Sequence, residues 1–429
     1  MNGYRIRAIL LALAVAFLDG FDALSMSFAA PAISGSWVVD KAVLGVVFSS
    51  SLAGMALGAL VLAPLADIVG RKMLMLIGLT LMTLGSALAA VADSIEELML
   101  WRLLTGVGIG ASAIIIFAIA TEFANARTRP MALAVMAVGY PIGGLVGGLL
   151  ASVLLTHFSW RSVFLAGFVL GAVAIPFVAV LLPESLTFLL GREQHGRLER
   201  INRILTRSGL AAIAATPAVT RVQRSYAGVF AREQRPITFR LALVSALNMS
   251  TGYFALSWLP QVVYLAGFPP PDASLVAAIF SFAGVLGGLS FGLLTRGRDQ
   301  TRLAALLLIV QGAPLALFGI TPPSLMALMV AGAVCGLFLY AASTSFYTIL
   351  PQNFAGSSRA AGTGFVMGVG RVTSAVAPAM AGVLLAHHFS IATVFALFGA
   401  VATSAGLILL VHRSAPARVA AMRAVISMD

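Results

Sequence analysis

A chain of 429 residues with 60% hydrophobic and only 10% charged residues, and a mean hydropathy of +1.01, is not a water-soluble protein, because soluble domains carry about 25% charged residues. A single cysteine, Cys335, excludes a disulfide framework and a cysteine-based metal site, and the five histidines show no metal-ligand spacing. The net charge of +12 would suit a nucleic-acid partner, but its distribution along the chain points elsewhere.

At about 20 residues per span the length predicts a dozen membrane helices with short loops, and the 42 glycines suit close helix packing. Helix 1 is predicted near residues 8–30. Arg5 and Arg7 before it imitate a signal peptide, but its length and the mid-run Asp19 and Asp22 argue for a retained helix. Helices 2 to 6 follow near 43–63, 73–92, 98–122, 131–156 and 160–182. A polar stretch of about 183–238 is the one long interruption. Helices 7 to 12 then fall near 240–263, 274–295, 302–320, 324–350, 361–386 and 391–412. The expected fold is therefore all-α, with a six-helix bundle over 1–182, a basic cytoplasmic linker over 183–239 and a second six-helix bundle with a short tail over 240–429. In the linker Leu198, Ile201, Ile204 and Leu205 recur at helical spacing among arginines, as in a helix lying on the inner membrane surface; a disordered basic linker is the alternative.

The basic residues test this map. With the N-terminus inside, the inner segments hold Arg5, Arg7, Arg71, Lys72, Arg127, Arg129, ten arginines from Arg192 to Arg240, Arg296, Arg298, Arg302, Arg359, Arg413, Arg418 and Arg423, which is 23 of the 27. Cytoplasmic loops carry this excess in membrane proteins. Both termini are thus expected in the cytoplasm, and the basic balance reads as orientation, with no nucleic acid involved.

Within helix 1, Asp19 and Asp22 stand three residues apart on nearly one face. A carboxylate at bilayer depth costs roughly 2.5–3.5 kcal/mol on insertion scales, so a helix carrying two is a functional candidate. The other ionisable groups well inside predicted spans are Arg102 and Arg371, with Glu122 at an inner helix end. Burial disfavours a charged carboxylate and a neighbouring arginine favours it, which are the opposing influences a reversible proton site needs. Asp19 or Asp22 is the candidate proton carrier. Arg371, or else Arg102, is the candidate partner for a substrate carboxylate, because a guanidinium stays charged and grips carboxylate as a fork. The structural alternatives are a permanent interhelical ion pair of either aspartate with Arg371, and an Arg102 that snorkels or pairs with Glu96 or Asp93. Phe21, Tyr253, Trp258, Phe280, Phe282, Tyr340, Phe346 and Tyr347 are candidate ring contacts, and Asn248 and Ser257 candidate partners for ring substituents.

Several stretches resemble one family. Ala63-Pro-Leu-Ala-Asp67-Ile-Val-Gly70-Arg71-Lys72 resembles the loop 2–3 signature of the major facilitator superfamily, with Ala63 and Ile68 departing from it. Asp67 there suits a latch across the bundle interface, Gly70 a tight turn, and Arg71 and Lys72 an inner anchor. Gly292-Leu-Leu-Thr-Arg296-Gly-Arg298 is a degenerate counterpart in the second half, which supports an internal repeat. Arg102-Leu-Leu-Thr-Gly106-Val-Gly108-Ile-Gly110 and Pro183-Glu184-Ser185 are similar to further motifs of that family. Gly139-Tyr-Pro141-Ile-Gly143-Gly144-Leu-Val-Gly147-Gly148 looks somewhat like a drug-antiporter motif, but its spacing is more simply a packing face. Asp19-Gly-Phe-Asp22 with Ala30-Pro31-Ala32, Tyr253-Phe-Ala-Leu-Ser257-Trp258-Leu-Pro260, Thr121-Glu122-Phe123 ahead of Arg127 and Arg129, and Gly370-Arg371 with Pro378 resemble the aromatic acid:proton symporters.

That resemblance implies proton-driven uptake of an aromatic carboxylate such as benzoate or hydroxybenzoate, by alternating access in the bacterial inner membrane. No cofactor is implied beyond the proton gradient, and the partners are the organic anion, protons and the lipid bilayer. A monomer is plausible. Glu122 and Arg127 join Asp67, Gly70, Arg71 and Lys72 as the expected conformational latch. A proton-coupled efflux antiporter for drugs or other organic compounds is the alternative. An enzyme is not expected, because no nucleophile–histidine pair, zinc spacing or nucleotide-binding loop is present.

Overall fold

The computed structural model describes residues 2–62, 65–125, 127–191, 196–215, 226–294, 299–354 and 358–411. Among them the chain is helical and contains no strand. The long helices are α1 (Gly3–Trp37), α2 (Lys41–Leu57), α3 (Arg71–Ala90), α4 (Ile95–Phe123), α5 (Arg129–His157), α6 (Arg161–Leu181), α7 (Arg235–Leu265), α8 (Pro270–Leu294), α9 (Gln300–Phe318, interrupted at Gln311), α10 (Leu325–Ile349), α11 (Arg359–Ala386) and α12 (Ile391–Leu410). Eleven helices among the described residues are long and apolar enough to cross a membrane. The exception is α7, which is 31 residues long but carries Thr238, Ser245, Asn248, Thr251, Ser257 and Gln261, all buried against protein.

Local chemistry sets the helix ends. Asp40 starts α2 by accepting from Ala42 N at 3.2 Å. Ser94 and Glu97 form a reciprocal cap on α4: Ser94 Oγ accepts from Glu97 N at 3.2 Å and Glu97 Oε2 accepts from Asp93 N at 3.0 Å. Asp299 and Ser390 cap α9 and α12 in the same way. The C-terminal end of α2 widens into a π-helical turn over Gly58–Leu62, where Gly58 lies against the Val107 carbonyl of α4.

Helix contacts repeat between the two halves of the chain. In the first, α1 packs on α4, α5 and α6, α2 on α4, and α3 on α4 and α6; in the second, α7 packs on α10, α11 and α12, α8 on α10, and α9 on α10 and α12. Between the halves α2 meets α11, α5 meets α8, and α1 meets α7. Each of these pairings maps onto itself or its partner when the halves are exchanged. Glycines enable the closest of them. A Cβ on Gly139, Gly143 or Gly147 would strike α1, one on Gly144 or Gly148 would strike α8, and Gly45 of α2 and Gly382 of α11 touch across the other seam. The α5 glycines are therefore packing faces on two sides.

The apolar core has an uneven distribution. At the end of the helices marked by Trp37, one buried cluster takes residues from both halves, including Phe28, Phe48, Phe164, Trp258, Phe280 and Phe398. At the opposite end, marked by Gly3, each half buries its own cluster. The halves are thus sealed together at the Trp37 end and separately cored at the Gly3 end. Within 183–239, Arg197–Arg207 is helical, with Ile201 and Ile204 buried in the first half's cluster. The N-terminus is tied to it by Asn2 Nδ2, which donates to the Arg207 carbonyl at 2.6 Å. Residues 192–195 and 216–225 of the linker, the second-half loop 295–298 and the arginines beyond 411 lie outside the described residues.

Candidate functional site

The two helix 1 carboxylates are both buried, Asp19 at 3% exposure and Asp22 at 0%, but their surroundings differ. Asp22 is built into the first half. Ser86 Oγ of α3 donates to Asp22 Oδ1 at 2.7 Å. Arg102 of α4 donates to the Asp22 main-chain carbonyl and to Ser51 Oγ of α2 at 3.3 Å, and its guanidinium lies 5.5 Å from the Phe164 ring centre. Arg102 is fully buried, so it does not snorkel, and it ties α1, α2, α4 and α6 together. Asp93 is taken instead by Arg161 of α6 at 3.2 Å. Asp19 has a lighter hold: Ser112 Oγ of α4 lies 3.1 Å from Oδ1 and is equally close to the carbonyls of Gly108 and Ile109. One hydroxyl proton cannot serve all three acceptors.

Across the interface, Arg371 of α11 is half-buried, and among the described residues its guanidinium makes no ion pair or hydrogen bond. It stands close enough to Asp19 of α1, Tyr140 of α5 and Tyr347 of α10 to act on each electrostatically. Tyr253 of α7 neighbours Tyr140, Tyr340 and Tyr347. Four phenols from three helices and both halves therefore form one cluster, two of them beside a guanidinium that is unpaired among the described residues, with one lightly held carboxylate next to it. All four rings are half-buried although each sits inside a long helix. Such a constellation offers a fork for an anion and aromatic faces for a ring.

Of the predicted binding residues, the structure brings together Arg371, Tyr253, Tyr340 and Tyr347, with Asp19. Tyr140 is an addition: in the sequence it is one tyrosine in a glycine-rich packing motif, and only the packing of the two halves brings it near Arg371. The others sit elsewhere. Phe21 packs against Gly147 and Gly167, between α5 and α6. Trp258 is fully buried at the sealed end, donating from Nε1 to the Pro378 carbonyl at 3.0 Å, with its ring 5.5 Å from Phe48. Asn248 is engaged within the second half, donating to Ser343 Oγ at 3.3 Å and accepting from Gln311 Nε2 at 3.2 Å. Phe280 and Phe346 are core, and Phe282 is exposed on the outside of α8.

The predicted latch residues gather at the Gly3 end. Gly70 adopts φ +99, the left-handed region that glycine tolerates, and turns the chain into α3. Glu184 Oε1 then accepts from Lys72 N at 3.1 Å, placing a carboxylate on the α3 N-terminus. Glu122, expected beside Arg127 and Arg129, pairs instead with Arg71 and accepts from Ser185 Oγ at 3.0 Å. Arg127 is exposed, and so is Asp67. The loop signature, the end of α4 and Pro183-Glu184-Ser185 thus form one network inside the first half. The sequence alone treats them as separate motifs. Among the described residues no group of acidic, histidine and cysteine side chains could hold a metal.

Comparison with known proteins matches the Major Facilitator Superfamily over residues 11–327 and again over 241–423. The chain is similar to a gallate transporter of Pseudomonas putida, 28% identical over 97% of this chain and 93% of that one. It is similar to the 4-hydroxybenzoate transporter PcaK of Pseudomonas aeruginosa, at 28% over 86% and 84%, and to the 3-(3-hydroxy-phenyl)propionate transporter of Escherichia coli, at 30% over 87% and 85%. Among solved structures, a D-xylose-proton symporter superposes with a TM-score of 0.74 at 14% identity, covering 95% of this chain and 97% of that one. These relatives are transporters and not enzymes. With its repeated helix contacts, its apolar helices and a match over nearly its whole length, the chain is a multi-pass membrane transporter of the Major Facilitator Superfamily.

Proposed function

We propose that this protein imports an aromatic carboxylate together with protons, by alternating access across the bacterial inner membrane. The observation that carries the reading is the Arg371 guanidinium, unpaired among the described residues, beside Tyr140 and Tyr347 of a four-phenol cluster drawn from both halves. The relatives that transport gallate, 4-hydroxybenzoate and 3-(3-hydroxy-phenyl)propionate support an aromatic acid as cargo. The proposed topology has twelve spans with both termini cytoplasmic, α7 being the twelfth, shielded by its neighbours despite its polar residues. The two six-helix halves are taken as the moving bodies and 183–239 as their linker. The Gly3 end, where the halves have separate cores, then faces the cytoplasm, and the Trp37 end is the closed outer seal.

In the proposed cycle the substrate carboxylate occupies Arg371 as a forked, charge-assisted pair. Asp19 is the coupling carboxylate. When ionised it competes for Arg371; when protonated from outside it releases the guanidinium to the substrate. Asp22 is held with Ser86 and Arg102 and serves as the rigid base on which α1 turns. No cofactor is required, since the proton gradient supplies the energy.

The test is uptake of radiolabelled 4-hydroxybenzoate into proteoliposomes with and without an inward proton gradient. Accumulation above equilibrium that needs the gradient supports symport. No accumulation across a panel of benzoates, alongside export of cationic dyes, would replace this reading with an efflux antiporter.

A further inference from the structure

Tyr140 and Tyr340 share a property the other phenols do not: their hydroxyls are screened from water and have no hydrogen-bond partner. A buried hydroxyl left unmade is costly, and each such group in a folded protein calls for an explanation. The Tyr340 ring has no room to turn away, and α5 is held close to α1 at Tyr140. The Tyr340 ring lies against Gly284 of α8, with Phe280 edge-on at 6.1 Å. The main chain at Tyr140 is clamped on Gly20 of α1. Tyr253 sets its hydroxyl toward that of Tyr140, but outside the distance and angle of a well-made hydrogen bond. The phenols also have a polarity. Arg371 acts on Tyr140 and Tyr347, whereas Tyr340 is in range of Tyr253 and Tyr140. A ring whose carboxylate sits on Arg371 thus extends toward hydroxyls that lack a partner.

We infer that Tyr140 and Tyr340 are specificity-determining residues that hydrogen-bond ring hydroxyls of the substrate, so that the transporter selects hydroxylated aromatic acids over benzoate. The inference rests on the aromatic-acid reading above and deepens it. A phenol can both donate to and accept from a substrate hydroxyl, and a site built on polar groups that need a partner disfavours the analogue that cannot supply one. Tyr340, at the pole away from Arg371, reads the hydroxyl farthest from the carboxylate.

The experiment measures competition of benzoate and 4-hydroxybenzoate against radiolabelled 4-hydroxybenzoate, using wild type, Tyr140→Phe, Tyr340→Phe and Tyr264→Phe reconstituted in proteoliposomes. The readout is the ratio of the two affinities within one preparation, which misfolding of part of the sample does not change. Wild type is expected to prefer 4-hydroxybenzoate by about tenfold or more, the worth of one well-made buried bond. Tyr340→Phe is expected to bring the ratio to within about twofold of one, and Tyr140→Phe to lower it by about threefold or more. Tyr264→Phe, whose hydroxyl packs over Gly35 at the sealed end, serves as the control and keeps the wild-type ratio. A wild-type ratio near one, or a ratio unmoved by both phenylalanine variants, overturns the specificity assignment while the aromatic-acid reading stands. If wild type binds neither acid, both fall together.

Discussion

Two aspartates three residues apart have different environments, and their variants should separate accordingly. Asp19 contacts one hydroxyl that is shared with two carbonyls, and it faces Arg371. Asp19→Asn is therefore expected to keep substrate counterflow but to lose gradient-driven accumulation, measured as the two rates in the same vesicles. Asp22 is bonded by Ser86 and sits beside the buried Arg102. Neutralising it leaves that guanidinium without a counter-charge, at a cost of about 3 kcal/mol or more, so Asp22→Asn should lower the melting temperature in detergent more than Asp19→Asn does. Equal melting temperatures would remove the distinction. At Arg371 the fork matters as well as the charge: Arg371→Lys should weaken binding of 4-hydroxybenzoate by about tenfold or more, consistent with the roughly 1.5–3 kcal/mol carried by bonds to charged groups, and Arg371→Gln by more still. The sequence presents Asp19, Asp22 and Arg371 plainly because charge inside an apolar run is rare. Tyr140 is obscured by the glycines around it, and Trp258 and Phe21 attract notice as aromatics although packing consumes both.

At the scale of the helix, the short-side-chain spacing of α5 determines how closely α1 can approach. A Cβ at Gly143 would fall on the Phe17 carbonyl of α1, where main chain cannot yield as a side chain would. Gly143→Ala is expected to destabilise by about 1–3 kcal/mol, the usual cost of overpacking, and Gly143→Leu to prevent recovery of folded protein by size-exclusion chromatography. Gly364 and Gly368 of α11 have open space beside them, so alanine at either should be tolerated. The two sets look alike in sequence; only the position of the neighbouring helix separates a required glycine from a permitted one. Helix ends, by contrast, are set locally, because Asp40, Ser94 and Ser390 cap their own chains through bonds two or three residues long.

For the whole molecule, the uneven core makes a mechanical prediction. The sealed end is joined where Ser49 Oγ of α2 accepts from Ala379 N of α11 at 3.0 Å, one residue beyond the Pro378 carbonyl that holds Trp258. A cysteine pair, Ser49→Cys with Ala379→Cys in a Cys335→Ser background, is expected to cross-link readily and to abolish uptake, with recovery on reduction. Cross-linked protein that transports at the wild-type rate would show that this seam does not open during the cycle.

What the sequence by itself determined is the class and the ingredients: a polytopic all-α chain, its long apolar helices, its internal repeat and its intramembrane charges. Those follow from local properties, since a span must be apolar along its own length and a buried charge stands out within it. Which charges act together was decided only by the tertiary structure. Arg102 and Arg371 are equally conspicuous in the sequence, yet one is locked onto α1 within the first half and the other is left beside Tyr140 and Tyr347, one phenol from each half. That difference depends on how helices more than 200 residues apart in sequence pack together, and no local pattern encodes it.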